Sequence, residues 1–90
     1  MNYKDYQRLK IGNWMSVGKF SDRLYAMEFL TGATDVPEYH KISKEEFDSF
    51  ENWKDTDKVI EINRRPAFGL ALRDNPDMNF DEDTIINGNY

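Results

Sequence analysis

Apolar residues recur along this chain at two spacings. Over residues 14–20 and 23–31 (WMSVGKF and RLYAMEFLT) they alternate and are rich in aromatics. That predicts two β-strands joined by a tight turn at Ser21-Asp22. In the second strand Tyr25, Met27 and Phe29 share one face, and Leu24, Ala26 and Leu30 share the other with Glu28 among them. Two largely apolar faces mark a central strand. Leu24, Met27 and Leu30 also recur at helical spacing, so a helix is the rival reading. After a loop over 32–37, residues 38–42 (EYHKI) read as a third, short strand.

Ser43-Lys44-Glu45-Glu46 then opens a helix with a capping box, in which the Ser43 hydroxyl and the Glu46 carboxylate each satisfy the other's backbone N–H. Ile42 before the cap and Phe47 at the fourth helical position form a hydrophobic staple. Glu45 and Glu46 suit the positive end of the helix dipole. The helix is expected over 44–54, with Phe47, Phe50 and Trp53 as one aromatic stripe.

Asp55-Thr56-Asp57 ends it. Residues 58–63 (KVIEIN) and 67–73 (AFGLALR) read as a second hairpin turning at Arg64-Arg65-Pro66. Ile60 and Ile62 face one way there, as do Phe68, Leu70 and Leu72. Gly69 within the strand suggests a bulge or a close backbone approach. Residues 2–11 resemble a short helix with Tyr6 and Leu9 on one side, stopped by Gly12-Asn13. The expected fold is α+β: a mainly antiparallel sheet of about five strands with one capped amphipathic helix on a face, in the order (α)-β-β-β-α-β-β. Residues 1–73 form its single domain. Residues 74–90 form an acidic C-terminal tail, either mobile or docked through Phe80 and Ile85-Ile86.

Composition narrows the setting. Ninety residues bury a small core, and six Phe, five Tyr and two Trp supply much of it. With no cysteine there is no disulfide, thiolate metal site or thiol nucleophile, which favours a reducing compartment. No apolar stretch has the length of a membrane span, and the first ten residues lack a signal-type run. The expectation is a cytoplasmic protein with no membrane association.

Charge adds a direction. The net charge of −5 is uneven: residues 1–43 carry a net +1 and residues 44–90 a net −6. The second half would repel a polyanion, which argues against direct nucleic-acid binding, and would attract a basic protein surface. Surplus carboxylates also serve solubility alone.

Candidate chemistry is sparse. His40, the one histidine, could act as a general base, but no nucleophile motif accompanies it, and a strand residue at the sheet surface is the plainer reading. The stretch Asp77-Met78-Asn79-Phe80-Asp81-Glu82-Asp83 resembles the opening of a calcium loop. Its sixth and twelfth positions hold Glu82 and Gly88, where such a loop needs Gly and a bidentate Glu. Arg64 and Arg65, with Lys58 and Arg73, could touch phosphates but lie among acids. No phosphate-binding glycine loop occurs. Neither a cofactor nor a metal is expected, and the chain does not read as an enzyme.

What remains is a binding protein. The expected partner face comprises Glu45, Asp48, Glu51, Asp55 and Asp57, joined by Asp81 and Asp83, with Tyr39, Phe80, Trp14 and Tyr90 as aromatic anchors. Its expected partner is a protein with a basic surface, in the manner of bacterial or phage inhibitor, immunity or adaptor proteins. The alternative is a self-associating, homodimeric structural module that buries a bare sheet face bearing Trp14, Leu24, Leu30 and Ala71.

Overall fold

A computed structural model describes residues 2–30, 37–68 and 79–88. It is an α+β structure built on a five-stranded antiparallel meander in the order β1-β2-β3-β4-β5. The strands are β1 (Gln7–Ile11), β2 (Met15–Ser21), β3 (Leu24–Leu30), β4 (Pro37–Ile42) and β5 (Ala67–Phe68). Among the described residues four short helices accompany them: α1 (Lys44–Asp48), α2 (Phe50–Trp53), α3 (Lys58–Asn63) and α4 (Glu82–Ile86).

The β2–β3 hairpin and β4 lie where alternation predicts them. Met27 pairs with Val17 on one side and His40 on the other, which fixes the register at the sheet centre. The predicted division of faces on β3 also holds. Tyr25, Met27 and Phe29 pack with the helices, while Leu24 and Ala26 belong to the opposite face.

Three expectations need correction. Residues 2–11 are not a helix but a 3-10 turn (Tyr3–Asp5) followed by edge strand β1. Tyr6 and Leu9 share no buried face: Tyr6 packs in the ring cluster around Phe20, whereas Leu9 is exposed at a bulge between Arg8 and Lys10. That bulge leaves Leu9 out of the pairing register. The helix expected over 44–54 is two helices. The Ser49 hydroxyl donates back to the Glu45 carbonyl at 2.8 Å, and such local bonding bends helices. The Trp53 indole N–H takes the Glu46 carbonyl at 2.8 Å across the break. Finally, residues 58–63 form α3 rather than a strand. Val59 and Ile62, three apart, face the core and Ile60 is left exposed. No second hairpin forms among the described residues: β5 is two residues that pair with Tyr39 and His40. Gly69, Leu70, Ala71, Leu72 and Arg73 lie outside the described residues.

Two apolar clusters sandwich the sheet. One holds Met15, Val17, Met27 and Ile42 against Phe50, Trp53 and Ile62, so the predicted aromatic stripe faces inward. The other gathers Phe20, Leu24, Ala26, Tyr39 and Phe68 under Ile85 of α4. Phe20 is its hub, with ring centroids of Tyr6, Tyr39, Phe68 and Phe80 at 5.2–5.6 Å. The sheet therefore has a layer on each side, not one covered face and one bare one. Leu24 is buried, while Leu30's side chain and Ala71 lie outside the description. Among the described residues no helix is long and apolar enough to cross a membrane.

Candidate functional site

The helical layer presents the acids that the sequence singles out. The capping box closes as expected: the Glu46 N–H donates to Ser43 Oγ at 3.0 Å, and the Ser43 N–H donates to Glu46 Oε1 at 2.9 Å. With α1 fixed in this way, Glu45 and Asp48 point to solvent, as do Glu51 on α2 and Asp55 and Asp57 in the turn that follows. Two are lightly paired, Asp48 with Lys44 and Glu51 with Lys54, each at 3.0 Å. Exposed pairs of this kind hold little energy and are easily exchanged for another cation.

Beside these acids a shallow groove of about 370 Å³ runs along α3, lined by Asp57, Ile60, Glu61 and Arg64. Ile60 is half exposed within this charged rim. An apolar side chain inside a charged margin is the usual anatomy of an interface centre.

Glu46 faces the other way and is structural. Its carboxylate accepts from Arg65 at 2.9 and 2.7 Å and pairs with Lys58 at 2.8 Å. Arg65 holds its carboxyl well below the usual carboxylate range, with Lys58 and the Ser43 N–H adding to the effect against the cost of burial. Arg65 also bonds Glu61 and the Lys41 carbonyl, so it ties α1, α3 and β4 together. The sequence places Arg65 at an open hairpin turn, where it would be available to phosphates. In the structure its guanidinium is committed.

The remaining candidates are differently placed. Tyr39 is buried rather than a surface anchor, and its hydroxyl donates to Glu28 at 3.1 Å. Phe80 packs in the ring cluster around Phe20 and Phe68. Asp81 caps α4 by accepting the Asp83 N–H at 3.1 Å, and Asp83 pairs with Arg23 at 2.9 Å. Trp14 is exposed at the β1–β2 turn, and Tyr90 lies outside the described residues. The partner-face residues therefore fall into two groups, the α1–α3 acids on the helical layer and Asp81 and Asp83 on α4 of the opposite layer.

His40 is 2% exposed, beneath the helical layer rather than on the sheet surface. Its Nδ1–H donates to the Arg65 carbonyl at 3.0 Å. Nε2 lies 3.4 Å from Glu38 Oε2 without hydrogen-bond geometry. His40 lines neither the α3 groove nor the hollow beside Arg8 and Trp14. Among the described residues no group of three His, Asp or Glu side chains could hold a metal ion. Asp77, first residue of the calcium-like stretch, lies outside them.

Sequence reasoning missed one polar constellation. The Glu28 side chain is only 5% exposed within the second face. It accepts from Arg8, from Ser16 at 3.3 Å and from Tyr39, while the Tyr6 and Ser16 hydroxyls share a bond of 2.8 Å. Burial pushes the phenols of Tyr6 and Tyr39 well above their ordinary range, and the Glu28 charge adds to this in both. Neither phenol is poised to yield a proton near neutral pH. Arg8, Ser16 and Glu28 itself also line a hollow of about 110 Å³, together with the exposed side chains of Ile11 and Trp14. The one available signal was a charged residue on an otherwise apolar strand face. Comparison with known proteins gave no match to a family model, a curated protein or a solved structure.

Proposed function

We propose that this protein is a small acidic binding protein that docks, through the carboxylates of its helical layer, on a protein partner with a basic surface. The supporting observation is the solvent-facing set Glu45, Asp48, Glu51, Asp55 and Asp57 beside a groove in which Ile60 is exposed. The acids steer the encounter and set the salt dependence, and Ile60 with the surrounding aliphatic stems supplies the apolar contact. Inhibitor, immunity and adaptor proteins act in this way, by occupying another protein's surface.

The test is capture of host proteins on the immobilised protein, identification by mass spectrometry, and measurement of purified hits at low and high salt. Association is expected to slow at least tenfold on going from low to physiological salt, an order-of-magnitude effect for steered encounters. Joint reversal of Glu45, Asp48 and Glu51 to Lys is expected to abolish it. Unchanged affinity in that triple variant removes the proposal.

A further inference from the structure

The β1–β2 hairpin carries a second surface of different character. Leu9, Ile11 and Trp14 are 51%, 72% and 69% exposed, three large apolar side chains within six positions. Trp14 adopts φ +62°, the left-handed region that favours glycine. Its indole gains little burial from the fold in return. A turn optimised for stability would hold Gly or Asn there, and one optimised for solubility would hold a polar residue. A strained backbone that displays an exposed Trp points toward function.

Among the described residues the edge beside it is open. β1 pairs only with β2 among the described residues, so its outer N–H and C=O groups have no strand partner. Charge selects what could pair there. Residues 6–20 hold Arg8, Lys10 and Lys19 and no carboxylate, in a chain whose net charge is −5. Lysines and arginines on an edge strand discourage pairing with a second copy of the same strand. They accommodate a strand that carries acids. Arg8 and Lys19 are neutralised by Glu28 and Asp22, whereas Lys10 is held only by the Phe47 carbonyl and ring and keeps its charge on the edge strand. One uncompensated cation suits an acid on an added strand that bonds through its backbone, and not a polyanion, which needs several free cations.

We infer that β1 is a strand-addition site for an extended, acidic and apolar segment of a partner protein. The segment pairs along Gln7–Ile11 and sets one aliphatic side chain into the hollow beside Trp14. This surface is separate from the helical face, so the two readings stand or fall independently.

The experiment pans a displayed library of short random peptides on the protein, with counter-selection on Trp14→Gly. Recovered peptides are resynthesised and titrated in amide NMR spectra. Trp14→Gly should unfold at an equal or higher denaturant concentration, because glycine relieves the turn. It should nonetheless lose at least tenfold in peptide affinity, and so should Ile11→Thr, which keeps a strand-forming residue. Recovered sequences should alternate apolar and acidic residues and shift the amides of residues 7–11. The inference fails if no peptide distinguishes the protein from Trp14→Gly, or if basic sequences dominate. It fails equally if the shifts map to the helices. Short oligothymidine that shifts the same amides more strongly would assign the surface to nucleic acid instead. A Trp14-dependent rise in mass with concentration would assign it to a second copy.

Discussion

A Cβ placed on Gly18 would lie 1.8 Å from the Gln7 carbonyl oxygen and 3.1 Å from the Tyr6 ring. β1 can therefore join the sheet only because position 18 has no side chain. Gly18→Ala is expected to push β1 outward and destabilise the protein by about 1–3 kcal/mol. A urea unfolding midpoint would register the loss, and an unchanged midpoint would mean that β1 yields freely. Nothing in the sequence marks Gly18 in this way, since the atoms it must avoid belong to a segment that reads as a helix. Glu28 was more legible. Alternation puts it on the correct face of β3, but its ligands Arg8, Ser16 and Tyr39 come from three other places in the chain. Only folding shows that a charge on an apolar face is fully paired rather than exposed.

At the level of elements, signals carried by neighbouring residues specify structure, and those that depend on distant partners do not. The Ser43 capping box is a four-residue pattern and formed as its chemistry requires. The KVIEIN segment has β-branched residues at positions compatible with either period, and such short runs do not choose between strand and helix. Tertiary pairing decides: as a helix, Lys58, Glu61 and Arg65 align toward one another and toward Glu46. This network has a pH signature. The folded-state pKa of Glu46 lies below that of the unfolded chain, so its contribution is complete above the ordinary Glu range. It is lost as pH falls below that range. Wild-type stability should decline between about pH 5 and pH 2. Glu46→Gln should be less stable near neutrality by about 1–3 kcal/mol and should decline less steeply with acid. Glu61, lowered by the same Arg65 and Lys58, keeps part of the slope in the variant. Parallel acid profiles for the two proteins would show that Glu46 is not the coupled group.

For the whole molecule the decisive feature is the pair of apolar layers on one sheet. The sequence predicts the helical layer from the aromatic stripe. It leaves the second layer open, because α4 is a single short helix in an acidic stretch with two adjacent isoleucines. Ile85 is buried there, while Ile86 is partly exposed and the Ile86 carbonyl accepts from Lys41. Ile85→Ala is expected to cost about 2–4 kcal/mol and to loosen the ring cluster around Phe20. A lower calorimetric midpoint with increased binding of a hydrophobic dye would show this. A loss below about 1 kcal/mol would mean that α4 is only loosely seated.

The same arrangement has a consequence for the order of folding. The buried residues of the helical cluster all lie between Met15 and Ile62, whereas the second cluster joins Phe20, Leu24 and Tyr39 to Ile85 across a longer loop. Closing that loop is the slower step, so a refolding molecule displays a wet aromatic sheet after its helices have docked. That interval is when a chaperone would find something to hold.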